Sequence, residues 1–189
     1  MTEDLGIRDE DIALRVQRGD IESFGLLVSR YEVKMTKYAR KFLFNANDAK
    51  DLVQEVFLKT YINIQSFDPS RKFSSWLYRI AHNEYINAVK KRGKEPVFFF
   101  DLDVFLPHAA SPHTTESEAM RQELKRSLEE HLGALGLKYR EVLVLYYLED
   151  MDYREISEIL QIPVSTVGVR LARGKDLLRK SITKADSRV

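Results

Sequence analysis

Apolar residues between positions 48 and 92 recur at three- and four-residue steps on both sides of a short polar loop, a spacing that demands two amphipathic helices. In the first stretch Ala49, Leu52, Val53, Val56, Phe57, Tyr61 and Ile64 form one stripe, the face such a helix buries. Asn47 or Asp48 is the expected N-cap, and Asp48 and Asp51 lie near the positive end of the helix dipole. The opposite face carries Asp51, Gln54, Glu55 and Leu58. A charged face is usually only solvated, but an apolar side chain among exposed carboxylates is also what a protein-docking surface looks like.

The second stretch, residues 73–92, has a different character. Phe73, Leu77, Ile80, Ala81 and Ala88 make its core stripe, while Trp76, Arg79, Asn83, Ile86 and Lys90 gather on the other side at 100° per residue. Ser74 or Ser75 is the expected cap. An indole, an amide and cations along one face suit a single nucleic-acid strand: they stack on a base, bond its edge and hold its phosphates. Trp76 fits a core position equally well. The cations Lys90, Lys91 and Arg92 close the helix, where the dipole favours them in any case. Between the helices, residues 63–72 form a polar loop with Phe67, Asp68 and Pro69, a turn by composition and a candidate base pocket by position.

The C-terminal third reads as three more helices. Residues 138–148 are apolar-rich. Asp152 and Glu155 have the spacing of a capping box ahead of a short helix buried through Ile156, Ile159 and Leu160. Residues 161–163, ending in Pro163, break that helix, and residues 164–180 form the next one. Two helices joined by a turn of this length, the second of them basic, are the helix-turn-helix pattern. From residue 164 onward the cations Arg170, Arg173, Lys175, Arg179, Lys180, Lys184 and Arg188 face only Asp176 and Asp186, whereas the whole chain has a net charge of just +1. That concentration is the footprint of a DNA-facing surface. Val167, Leu171, Gly174 and Leu178 point inward. Ser165, Val169, Ala172, Arg173 and Asp176 point outward, with Arg170 on the flank. Arg173 suits a guanine edge or a phosphate, Ser165 or Thr166 a phosphate, and Val169 a thymine methyl.

Composition limits the alternatives. The 189 residues have room for one domain or two small ones and contain no cysteine, which excludes disulfides and thiolate metal sites. His82, His108, His113 and His131 show no metal-ligand spacing, so no metal or other cofactor is expected. No catalytic constellation is evident, and the chain reads as a non-enzyme. The acidic N-terminus lacks the pattern of a signal peptide and no run approaches a membrane span, so a cytoplasmic location without membrane insertion is expected. Residues 95–118 hold no Lys or Arg, but Glu95, Asp101, Asp103, Glu116 and Glu118, with three prolines among them: a flexible acidic linker. Near the N-terminus, residues 11–20 and 21–31 read as two helices broken at Gly19, the second continuing or restarting through residues 34–43. The organisation is all-α, with domains at 1–94 and 119–189 joined by that linker.

Residues 48–57 together with 73–83 resemble region 2 of the extracytoplasmic-function, or group IV, sigma factors of the sigma-70 family, and residues 164–180 resemble its region 4. The resemblance covers roughly residues 11–92 and 123–180. It implies a transcription initiation factor that binds core RNA polymerase and directs it to promoter DNA. By the same resemblance Asp48, Asp51, Gln54, Glu55 and Leu58 become polymerase contacts. Phe67, Asp68, Trp76, Arg79, Asn83, Lys90, Lys91 and Arg92 become contacts of the melted minus-10 strand. Ser165, Thr166, Val169, Arg170, Arg173 and Lys175 become contacts of the minus-35 element. The linker would thread the polymerase cleft, where Asp101 and Asp103 suit a basic channel, and an anti-sigma factor is an expected partner. Two departures from the family pattern stand out. The helix ends in Lys90, Lys91 and Arg92 where members usually show arginine pairs, which keeps the charge but loses some bidentate phosphate geometry. Gly168 and Val169 stand where members often carry a basic residue and a serine. The competing readings are a stand-alone helix-turn-helix repressor or activator with an N-terminal dimerisation or sensing domain, and a protein-binding helical adaptor.

Overall fold

The computed structural model describes residues 6–41, 46–91, 127, 131–132 and 134–186. The linker at 95–118, the domain boundaries at 94 and 119, and Arg92 lie outside these residues. The described elements are α1 (Asp9–Gln17), a 3-10 turn (Ile21–Ser23), α2 (Phe24–Arg40), α3 (Ala46–Ile62), a second 3-10 turn (Ile64–Ser66), α4 (Phe73–Lys91), α5 (Leu137–Tyr147), α6 (Tyr153–Leu160) and α7 (Val164–Asp186). No strand occurs among the described residues, and the elements fall into two compact units, one N-terminal and one C-terminal.

In the N-terminal unit α1 begins with three acids, Asp9, Glu10 and Asp11, at the positive end of its dipole. Arg8 forks onto Asp11 with two 2.9 Å bonds. Asp9 accepts from Tyr31 Oη and Arg30 Nη1, both at 2.5 Å, which ties α1 to α2. Burial, reinforced by Asp9, pushes the pKa of the Tyr31 hydroxyl upward. The expected break at Gly19 is present, with φ at +101°, a backbone region that side chains rarely adopt. Asp20 caps the next turn, its carboxylate accepting from the Ser23 amide at 3.3 Å and the Ser23 hydroxyl at 2.6 Å. α2 then runs unbroken.

The core of this unit brings together Leu27, Met35 and Tyr38 of α2, Ala49, Val53 and Val56 of α3, and Leu77, Ala81 and Tyr85 of α4, all essentially inaccessible. Two hydroxyls make this core specific. Tyr38 Oη meets His82 Nδ1 at 2.8 Å, and Tyr85 Oη donates to the Met35 carbonyl at 3.1 Å. Each of these two hydroxyls is thereby paired, without which its burial would cost about 1–3 kcal/mol.

Four local expectations change. α3 starts at Ala46, so Asn47 and Asp48 lie inside its first turn, and Ile64 is buried from the 3-10 turn and not from the helix. α4 starts at Phe73, so neither Ser74 nor Ser75 is the cap; the Phe73 amide is taken instead by Glu10 Oε1 of α1 at 3.0 Å. Trp76 and Ile86, assigned to the outward face of α4, are buried. The reason is that α1, α2 and α3 all pack on α4. Its buried face is therefore wider than a single stripe, and Ser75, Trp76, Leu77 and Tyr78 are buried in succession.

In the C-terminal unit α5 buries Val142, Leu143, Val144 and Leu145. Arg140 is buried as well and donates to the Leu135 carbonyl at 2.7 Å. The capping box at α6 is complete: Asp152 Oδ1 accepts from the Arg154 and Glu155 amides, and Glu155 Oε2 accepts from the Asp152 amide. Gln161 ends α6 in the left-handed region at φ +53°. The turn is clasped by Ser157, whose hydroxyl donates to the Ile162 carbonyl and whose carbonyl accepts from the Ile162 amide. α7 packs on α5 and buries Val167 and Leu171, and at Gly174 the approach is tight: an added Cβ would lie 3.1 Å from Leu143 Cδ1.

Candidate protein and nucleic-acid interfaces

On α3, Asp51, Gln54 and Glu55 are exposed, Asp48 is half-buried, and Leu58 is 55 % exposed. The predicted docking line therefore lies on one accessible face. Ile62, four residues beyond Leu58 and 65 % exposed, extends its apolar part. Lys59 borders the face, 2.6 Å from Glu84 of α4 and 3.6 Å from Glu55. Its hydrogen bond to Glu84 holds the ammonium pKa above the ordinary value. Glu55 thus has a cation beside it, whereas Asp51 has no ion pair among the described residues.

The loop before α4 is built on a buried ring. Phe67 is 3 % exposed and packs on Phe73 and Trp76 at centroid distances of 5.4 and 5.2 Å, and Trp76 is itself only 9 % exposed. Both rings were expected among the strand contacts; in the folded chain both are core. Asp68 follows directly and is exposed. Its carboxylate accepts from the Ser70 amide at 2.9 Å, and the Arg71 amide bonds the Asp68 carbonyl, so the turn is closed on itself. The bonds from Ser70 hold the Asp68 carboxyl below the usual carboxylate pKa. Beside this ring Asp68 and Arg71 are exposed and Arg79 is half-buried, while the Ser75 hydroxyl is buried without a hydrogen-bond partner. Farther along α4, Asn83, Lys90 and Lys91 are exposed. A carboxylate and two guanidiniums beside an aromatic cluster are chemically suited to the edge of an unstacked base.

On α7 the inward and outward sets fall as the spacing requires. Val167 and Leu171 are buried, Ser165 and Arg173 are exposed, Thr166 and Arg170 are half-buried, and Val169 is 52 % exposed. The cations are not equivalent. Asp176 holds Lys180 at 2.8 Å and Arg179 at 3.1 Å, contacts that lower its own pKa, whereas Arg170, Arg173 and Lys175 have no ion pair among the described residues. Lys175 is two residues from Arg173, hence about 200° around the helix. It does not share a line with Ser165, Val169 and Arg173.

Sequence reasoning missed Ile62, Arg71, Glu10 and Gln17. Ile62 was readable from its four-residue step beyond Leu58. Glu10 and Gln17 carried no local signal, since their partners are 47 to 63 residues away. Among the described residues no group of acids and histidines is placed to hold a metal ion, and no helix is long and apolar enough to cross a membrane.

Comparison with known proteins shows the family of the chain. Residues 27–95 match Sigma-70 region 2, and residues 125–178 match Sigma-70, region 4. The ECF RNA polymerase sigma factor SigW of Bacillus subtilis is 37 % identical over 89 % of this chain and 93 % of its own length. The ECF RNA polymerase sigma-E factor of Escherichia coli is 30 % identical over 93 % and 95 %. Among solved structures, CnrH in complex with the cytosolic domain of CnrY is similar with a TM-score of 0.69 and 29 % identity, covering 94 % of this chain and 98 % of that one. Two matched regions in their order, with relatives spanning nearly the whole chain, show that it belongs to the extracytoplasmic-function RNA polymerase sigma factors.

Proposed function

We propose that this chain initiates transcription by positioning alone, binding core RNA polymerase through α3 and directing it to promoters with two DNA-reading surfaces. The observation that carries this reading is that the N-terminal unit exposes both the Asp51–Leu58 face of α3 and the loop at Asp68 and Arg71. A polymerase-bound factor needs this pairing, and a stand-alone regulator has no use for it. Asp51, Gln54, Glu55 and Leu58 form the polymerase contact, with Ile62 extending it and Asp48 at its edge. Asp68, Arg71, Arg79 and Asn83 face the minus-10 strand, Lys90, Lys91 and Arg92 hold its phosphates, and Phe67 and Trp76 act as the floor beneath the base.

At the other end Arg173 and Val169 read the minus-35 element, with Ser165, Thr166 and Arg170 on the backbone. Lys175 is assigned to a neighbouring phosphate, because it lies on another side of α7. The domains are taken as 1–94 and 119–189, with residues 95–118 passing through the polymerase. An anti-sigma factor is the third partner, and the work is done in the cytoplasm. Bond-making chemistry is left to the polymerase.

Reconstitution of the full chain with bacterial core polymerase, followed by sequencing of the transcripts made, tests this reading. Stable binding and initiation from a small set of promoters sharing two elements is expected. Failure to bind the polymerase, with a palindromic duplex shifted by the free protein, would establish a stand-alone regulator instead.

A further inference from the structure

The loop that carries Asp68 is held at both ends by α1, a helix that lies before the segment matched to region 2. At its near end the Gln17 side-chain amide donates to two carbonyls, Ile64 at 2.7 Å and Phe67 at 2.8 Å. Gln65 returns the contact, donating to the Gln17 carbonyl at 3.0 Å. At its far end Glu10 Oε1 accepts the first amide of α4, Phe73, at 3.0 Å. Residues 68–72 lie between these two points and are all exposed. Glu10 and Gln17 are seven residues apart, or about 10.5 Å along a helix, and so act as two posts of one rigid support. The turn inside is closed by its own bonds at Asp68, but those bonds say nothing about which way the turn faces.

We propose that Gln17 and Glu10 are positioning residues for minus-10 recognition, fixing the direction in which Asp68 and Arg71 leave the aromatic floor and hence the base they select. The physical reason is local. The Phe67 carbonyl belongs to the peptide that joins Phe67 to Asp68, so a donor on that oxygen sets the rotation of the peptide, with Phe67 at ψ 130°. Burial of the Phe67 ring anchors the residue but leaves that rotation open. Glutamine is suited to the task because its one NH2 group supplies two donors, whereas a carboxylate at position 17 would face two carbonyls with none. This inference rests on the reading that the loop faces the minus-10 strand.

The test uses holoenzyme reconstituted from the full chain and core polymerase, with fork-junction probes from a promoter it initiates. The minus-10 segment is single-stranded and each of its bases is replaced in turn. The readout is discrimination, the ratio of affinities for native and replaced bases, which loss of stability alone does not move. Gln17→Met keeps length and apolar packing but has no donor; discrimination should fall by about two- to tenfold, the range of one hydrogen bond's net worth, at unchanged affinity for core polymerase. Glu10→Ala should lose discrimination in the same way and Glu10→Gln, which keeps an acceptor, should retain it. This second pair decides the matter if Gln17→Met does not fold. Unchanged discrimination in Gln17→Met and Glu10→Ala, with Asp68→Ala reducing it, would overturn the role of α1. If Asp68→Ala and Arg79→Ala also change nothing, the loop is not the reader and the functional reading falls with the inference.

Discussion

Two glycines of α7 are expected to respond in opposite ways to the same substitution. Glycine inside a helix costs about 1 kcal/mol relative to alanine. At Gly168 an added methyl would meet Tyr153 Cε2 at 3.5 Å, ordinary contact, so Gly168→Ala should stabilise the C-terminal unit by about 0.5–1 kcal/mol. At Gly174 the same methyl would lie 3.1 Å from Leu143 Cδ1, 3.3 Å from its Cγ and 3.5 Å from Tyr139 Cβ. Leu143 is buried and cannot swing into solvent. Displacing it in a close-packed interface costs about 1–3 kcal/mol, so Gly174→Ala should range from neutral to about 2 kcal/mol destabilised. The two variants should differ by several degrees in melting temperature, since 1 kcal/mol shifts a domain this small by about 4–8 °C. Thermal unfolding of the full chain followed by far-ultraviolet circular dichroism measures the difference. The molecule supplies its own control: the only tryptophan, Trp76, lies in the N-terminal unit, and its fluorescence transition should stay in place. A Gly174→Ala protein that melts at or above the Gly168→Ala protein would refute the close approach of α5 and α7.

Three more outcomes are expected. Replacing Asp51 and Glu55 together with lysine should abolish binding to core polymerase while leaving the circular dichroism spectrum intact; retained binding would remove α3 as the docking face. Arg173→Ala should weaken minus-35 recognition by roughly 1–3 kcal/mol at one base position if Arg173 reads a base, whereas an equal loss on every sequence tested by competition would mark a phosphate contact. The pKa of Asp20 is lowered in the fold by its bonds to Ser23, so its contribution is present above the ordinary aspartate range and is lost as pH falls through the folded value. Trp76 fluorescence should therefore report steady stability above about pH 4 and a decline below it, and Asp20→Asn should flatten part of that decline. An identical acid limb in wild type and variant would contradict the cap.

The parts of the fold legible in the sequence are those governed by one helix at a time. The stripes of α3 and α7, the capping box at Asp152 and the break at Gly19 each follow from spacing and from the chemistry of a single position. What escaped depends on which other helix comes near. Trp76 and Ile86 read as outward because a wheel shows one inward face, and α4 is packed by three neighbours. The cap of α4 escaped because it is Glu10, 63 residues earlier, and Gln17 escaped for the same reason. The candidate site divides along the same line. Residues displayed by α3 and α7 were placed by periodicity, whereas the loop at Asp68 is held at both ends by a remote helix.

The two cations that Asp176 holds bear on how this protein behaves among the many irrelevant stretches of a genome. As an exposed ion pair the arrangement contributes little to stability. Its effect is on the counter-ions DNA can release, because affinity for any sequence grows with each phosphate neutralised and falls with salt at a slope close to that number. With Arg179 and Lys180 held beside Asp176, a count of the cations of α7 overstates what it offers to passing DNA. On the proposed reading of α7 as the DNA-facing helix, that carboxylate lowers adhesion to arbitrary sequence and leaves residence time on a chromosome to the correct base sequence and to the polymerase the chain arrives with. Neutralising Asp176 would make a stickier protein, and a less selective one.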